Sequence, residues 1–210
     1  VTSNVEGRDL VGFVDSVRNA VASTINLPAG YSVEYGGEFE NQIRASKNLM
    51  TVIPIVIVII ILILFTIFGR WSLALLILAN APFALMGGVF GLFVTGEYLS
   101  VPASVGFIAL LGVAVLNGVV MISYYEDLKG KAMPLYELVK SGAVARLRPI
   151  LMTATTAMFG LLPLAFASGP GAEIQRPLAI VVIGGLITST FITLYLLPIG
   201  YYYWERGKHA

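Results

Sequence analysis

Five stretches of nearly unbroken hydrocarbon, 49–68, 72–94, 101–124, 149–166 and 178–203, dominate the sequence. Each comes close to the roughly 20 residues needed to cross an apolar layer of about 30 Å. A chain of 210 residues cannot hide five such segments inside one soluble core, and 57% hydrophobic against 12% charged residues points the same way. Inside lipid every backbone N–H and C=O must be satisfied within the protein, which leaves helices as the form these segments can take. The expected fold class is therefore a membrane all-α bundle of five transmembrane helices. Pro54, Pro82, Pro163 and Pro198 lie within spans, where neighbouring helices can satisfy the carbonyls they free.

The first 47 residues differ in kind. Leu10, Val14, Val17, Val21 and Ile25 recur at spacings of three and four, with Asp9 placed as a cap and Leu27-Pro28-Ala29-Gly30 as a stop, so an amphipathic helix of about four turns is predicted. Tyr31, Val33 and Tyr35 then alternate with Ser32 and Glu34 before Gly36-Gly37, a period of two that predicts a strand. One helix and one strand cannot bury a core, so residues 1–47 read as the end of a larger α/β domain, and 48–210 as the membrane domain. The chain reads as a fragment, the C-terminal part of something longer. Connections between spans are short except 125–148, where an interfacial helix is expected over 134–144.

Lysine and arginine set the expected orientation. Arg70, Lys129, Lys131, Lys140, Arg146, Arg148, Arg206 and Lys208 all fall on one side, and the short loops opposite hold only Arg176. That side is expected to be cytoplasmic, with the carboxyl terminus, which puts the amino-terminal segment outside the cytoplasm. With no cysteine, a single histidine and a net charge of +1, the chain has no thiolate or clustered imidazole site, and no basic aromatic patch for nucleic acid. Neither a resident metal nor a cofactor is expected. The scattered methionines read as packing residues.

Gly87 and Gly91 form a GxxxG pair, Ala114 and Gly118 repeat the offset, and Gly184 lines up with Thr188. Small residues at this spacing let helix backbones approach closely in lipid. All twelve carboxylates lie in the amino-terminal segment, in loops or at helix ends. A proton carrier for a membrane-crossing path would then lie outside these spans. What remains polar is Asn117 in the third span and the threonines of the fourth. Arg146 and Thr153 are seven positions apart, about 10.5 Å along nearly one helix face, and Thr156 and Gly160 continue it. They could line a polar seam; equally, Arg146 and Arg148 could be orienting charges and the threonines bonded to their own helix. For Glu173 and Arg176 in "ASGPGAEIQRPL", a surface ion pair or solvated loop is expected.

The stretches "GVAVLNGVVMISY", "GAVARLRPILMTA" and "SGPGAEIQRPLAIVVIGGLITST" followed by "LYLLP" resemble the last third of resistance-nodulation-division (RND) efflux pumps. Within these they look most like the heavy-metal branch of the cobalt-zinc-cadmium type. "SNVEGRDLVGFV" and "LPAGYSVEYGGEFENQ" are similar to the end of that branch's periplasmic porter domain. The resemblance implies a proton-driven homotrimeric exporter of divalent metal cations in the bacterial inner membrane, working with a periplasmic adaptor and an outer-membrane channel. It implies that Arg146, Thr153 and Asn117 belong to the proton-relay region, facing acids absent from this chain. Gly87, Gly91, Gly184 and Gly185 would be surfaces on which helices slide. One position departs: drug exporters carry lysine just before the matching asparagine and the copper and silver type a glutamate nearby, whereas this chain has Leu116. A drug or lipophile exporter of the same superfamily, and a non-transporting scaffold, stay open as alternatives.

Overall fold

In a computed structural model the described residues are 10–25, 28, 33, 35, 36, 38–131, 133–169 and 171–207. Among them the chain forms α1 (Leu10–Thr24), α2 (Glu38–Phe68), α3 (Trp71–Leu78), α4 (Ala81–Thr95), α5 (Val101–Lys129), α6 (Leu135–Ala165) and α7 (Ala172–Arg206). The predicted amino-terminal helix is α1; its cap Asp9 and most of the strand expected over 31–35 lie outside the described residues. Contacts divide the chain near residue 52. In the amino-terminal unit Arg18 stacks 5.8 Å from the Tyr35 ring, and Arg44 pairs with Glu40 one turn away on an exposed helix face.

The second unit holds five helical stretches long and apolar enough to cross a membrane: Ser46–Phe68, whose first turns belong to the amino-terminal unit, Trp71–Thr95, Val101–Lys129, Leu135–Ala165 and Ala172–Arg206. Their ends are set by local chemistry. Gly69 (φ 63°) and Gly96 (φ 71°) take the left-handed conformation that lets the chain turn out of α2 and α4 without a Cβ clash. At the start of α5 the Ser100 side chain accepts from the Ala103 N–H at 3.3 Å, and Pro102 occupies the first turn. The second span is broken into α3 and α4 because Pro82 has no N–H to offer the Leu78 carbonyl.

α7 is the axis of the bundle and packs against α3, α4, α5 and α6. Half of its apolar window is buried, against 11% for α6 and 6% for α2, so α6 and α2 present wide apolar faces outward. At one end Leu73, Ile77, Met121, Tyr125, Leu197 and Tyr201 form a core between α3, α5 and α7. Toward the other, Ala84, Leu92, Leu110, Ala114, Val181 and Leu186 join α4, α5 and α7.

The helix expected over 134–144 exists but is not separate. It is the first third of the 31-residue α6, with Tyr136, Glu137, Lys140 and Val144 exposed on one face and the other face turned into the bundle. Leu138 and Val139 are buried in the bundle, and Gly142 fits so closely to Tyr125 that a Cβ would come within 2.5 Å of the ring. Burial of that face carries the helix straight through Pro149.

The break between α3 and α4 is pinned by side chains. Asn80 is fully buried and its Nδ2 donates to the hydroxyls of Thr193 and, at 3.5 Å, Ser189 on α7. Interhelical hydrogen bonds in membrane proteins average about 0.6 kcal/mol and reach about 1.7. A double-mutant cycle with Asn80→Ala and Thr193→Val, read by unfolding in detergent, should give a coupling within that range; additivity would mean that the break stands without the bond.

Candidate functional site

The residues expected to form a polar seam come from α5 and α6, which run antiparallel side by side. Arg146 of α6 is half-buried and lays its guanidinium on the Tyr124 ring of α5, 4.5 Å from the centroid. Its Nε is buried without a hydrogen-bond partner. Two turns along α5 from Tyr124 is Asn117, 7% exposed, with its Nδ2 also unpartnered. Two turns along α6 from Arg146 is Thr153, exposed, donating to the Ile150 carbonyl at 3.0 Å. Seven residues advance a helix by about 10.5 Å and return it to nearly the same face. Tyr124 and Arg146 therefore share one depth, and Asn117 and Thr153 a second, about two turns further in.

The structure thus joins Arg146 to α5 through an aromatic ring, while Asn117 and Thr153 stay apart, one inside the bundle and one on its surface. Thr155 also bonds its own helix, to the Leu151 carbonyl at 2.7 Å. What this arrangement can do chemically is limited and specific. A planar cation held on a ring keeps its remaining N–H groups free for an acceptor, and a buried orphan donor on each helix marks where such an acceptor or water would bind. Leu116 is exposed and lines an apolar cleft between α5 and α2 with Ile60, Leu64 and Gly112.

The glycines come together. A Cβ on Gly184 would lie 2.6 Å from the Gly87 carbonyl oxygen and 3.3 Å from the Gly91 Cα, so α4 and α7 touch backbone to backbone. A Cβ on Gly91 would lie 3.0 Å from the Ile180 carbonyl. Gly185 faces the other way, against the Leu110 side chain of α5.

A charge cluster at the end of the bundle escaped the reading of the sequence. Glu205 of α7, only 3% exposed at its side chain, takes Arg70 at 3.0 Å and Lys129 at 2.6 Å. Glu126 of α5 stands 3.9 Å from Arg70 and 3.8 Å from Lys129, and accepts the Tyr201 hydroxyl at 2.7 Å. Two carboxylates and two cations balance, and they tie the starts and ends of α3, α5 and α7. The available signal was that all four charges sit at span ends on one side. At the opposite end Arg176 pairs with Glu97 at 3.1 Å, so the expected loop ion pair joins α7 to the α4–α5 connection and not to Glu173. Among the described residues no three His, Cys, Asp or Glu side chains converge to hold a metal ion.

A profile of the AcrB/AcrD/AcrF family matches residues 1–205. The chain is 45% identical over 201 residues to the cobalt-zinc-cadmium resistance protein CzcA of Cupriavidus metallidurans, covering 96% of this chain and 19% of that one. To the nickel and cobalt resistance protein CnrA of the same organism it is 46% identical over 198 residues, 94% of this chain and 18% of that one. A crystal structure of a heavy metal efflux pump superposes with a TM-score of 0.81 at 44% identity, over 97% of this chain and 20% of that one. The chain thus spans about a fifth of the length of the curated relatives it matches. With a family profile along nearly its whole length and this identity to heavy-metal resistance proteins, the chain belongs to the AcrB/AcrD/AcrF family, on the heavy-metal efflux branch of the RND transporters.

Proposed function

We propose that this chain is part of a proton-driven exporter of divalent heavy-metal cations, of the zinc, cobalt and cadmium kind, acting as a cation/proton antiporter and not as an enzyme. The observation that carries the reading is the 45% identity, along 96% of the chain, to a protein named for cobalt-zinc-cadmium resistance. Residues 1–47 would close a periplasmic α/β porter domain and 48–210 would form part of a multi-pass inner-membrane domain with a cytoplasmic carboxyl terminus. The whole would work as a homotrimer with a periplasmic adaptor and an outer-membrane channel.

In that assembly Arg146 is the group that answers a carboxylate of the remaining part. Its guanidinium rests over the Tyr124 ring, so part of its side-chain freedom is already spent when an acid approaches. Loss of the proton from that acid strengthens the pairing and gain of the proton releases it, which makes the Arg146 to acid distance a protonation-dependent contact between helices. Asn117 and Thr153 carry polar groups two turns deeper, where ordered water can bridge. Gly87, Gly91 and Gly184 would give α4 and α7 a smooth surface to slide on as that contact changes, and Gly185 would do the same for α7 against α5.

Cellular accumulation of zinc, cobalt, cadmium and copper, compared at equal expression between the full-length protein and its Arg146→Ala variant, tests both levels. Export of zinc, cobalt or cadmium by the parent and its loss in the variant is the expected result. Equal export by both returns Arg146 to an orienting charge. No response to any metal removes the substrate assignment, and a drug-accumulation assay then separates a lipophile exporter from a scaffold.

A further inference from the structure

The bundle carries a second opening at the end that holds the Glu205 cluster. Between the first turns of α6 and the last turns of α7 runs an open groove of about 280 Å³. Val139, Ala143, Pro198 and Ile199 line it, and the small Ala143 and compact Pro198 leave space between the helices. Its walls are tyrosines: Tyr136 meets Tyr202 edge-on at 6.4 Å, and Tyr202 meets Tyr203 at 5.7 Å. Lys140 stands on the rim, exposed, and among the described residues no carboxylate pairs with it.

We infer that this groove binds an anionic phospholipid, its phosphate on the Lys140 ammonium and one acyl chain in the groove. Three observations carry the inference. The first is depth. Tyr203 lies two residues before Glu205, whose salt bridges mark the polar boundary of the bundle, and the apolar run 178–198 of α7 already spans about 30 Å at 1.5 Å per residue. The groove therefore begins at the edge of the hydrocarbon and opens among head groups, the level at which tyrosines gather.

The second is shape. At about 280 Å³ the groove is below the 300–1,000 Å³ usual for compact small-molecule sites, and it is open to the surface. Its two walls continue toward the membrane centre as exposed apolar faces: Val144, Leu147 and Leu151 on α6, and Phe191, Tyr195 and Ile199 on α7. An acyl chain leaving the groove stays on apolar surface all the way. The third is charge. Lys140 places one unpaired ammonium beside three phenol groups at the rim, and basic pockets between transmembrane helices bind anionic head groups. A zwitterionic lipid would bring its own cation against the same lysine.

The test is native mass spectrometry of the full-length protein in detergent, titrated with phosphatidylglycerol or phosphatidylcholine. The parent should retain one more phosphatidylglycerol than Lys140→Glu, whose affinity should fall by at least about fivefold, the weight of one basic residue near an anionic surface. Lys131→Glu, outside the groove, should match the parent, and phosphatidylcholine binding should not distinguish any of the three. Ala143→Leu, which fills that space and leaves Lys140 in place, should lose the same lipid while eluting as a folded protein. Equal phosphatidylglycerol binding by the parent, Lys140→Glu and Ala143→Leu overturns the inference, and is the outcome expected if another helix of the assembly covers the groove. Equal loss with phosphatidylcholine overturns the charge-based part and leaves a neutral lipid cleft. These readouts do not depend on metal export, so the site can fail while the transport reading stands, and the reverse.

Discussion

Replacing Gly184 with leucine should leave little or no folded protein to purify, the largest effect expected of any single substitution in the bundle. The atoms a Cβ would meet are the Gly87 carbonyl oxygen at 2.6 Å and the Gly91 Cα at 3.3 Å, both backbone. A flexible side chain can swing aside, but here two helices must separate, and α7 cannot move from α4 without leaving its contacts with α5 and α6. Overpacking a well-packed core commonly destabilises by about 1–3 kcal/mol where side chains can adjust, so this substitution belongs at or above the top of that range. Gly112→Ala and Gly160→Ala are the matched controls. Nothing lies within 4 Å of a Cβ at either position, and exchanging glycine for alanine within a helix should be neutral or stabilise by about 0.5–1 kcal/mol. The yield of monodisperse protein in detergent and its thermal midpoint measure all three. A Gly184→Leu variant as stable as the parent would mean that α4 and α7 do not meet on these glycines.

The second large effect is expected from Glu205→Ala. This carboxylate is buried while its partners Arg70 and Lys129 keep side-chain exposures of 39% and 31%. Breaking a buried ion pair from one side typically destabilises by about 3–5 kcal/mol, because the other charges are left without compensation. Partial solvation of the two cations, and Glu126 within 4 Å of both, place the expectation near 3 kcal/mol. Arg70→Ala should do less, since Lys129 still holds Glu205. Equilibrium unfolding in mixed detergent micelles reads the order of the two variants. A change below about 0.5 kcal/mol for Glu205→Ala, the ordinary range for surface substitutions, would show that water already screens the cluster and that it does not tie the helix ends.

Much of this bundle was legible from hydropathy, since lipid permits few backbone forms and five long apolar runs become five helices. The exceptions arise from tertiary contacts. The segment 134–144 reads as a separate interfacial helix because Glu137 and Lys140 interrupt its hydropathy; in the structure Leu138, Val139 and Gly142 are gripped by the bundle, and that burial makes it one helix with the fourth span. Arg176 sits three residues from Glu173, yet the chain turn brings Glu97 closer. Arg70, Lys129 and Glu205 looked like separate end charges, because their meeting depends on three helices whose ends are far apart in sequence. The Arg146 to Tyr124 stack was hidden for the same reason: each helix shows its own face, but not which face meets it.

Sequence alone determined that the chain crosses a membrane as helices, that no carboxylate enters those spans, and that glycines recur at helix-packing intervals, since each depends on composition or on spacing within one segment. Tertiary structure decided which glycines touch, where Arg146 lays its guanidinium, and that a single glutamate near the end of α7 gathers the cations of two other helices. Those are relations between segments brought side by side by packing, and the period of one helix carries no record of its neighbours.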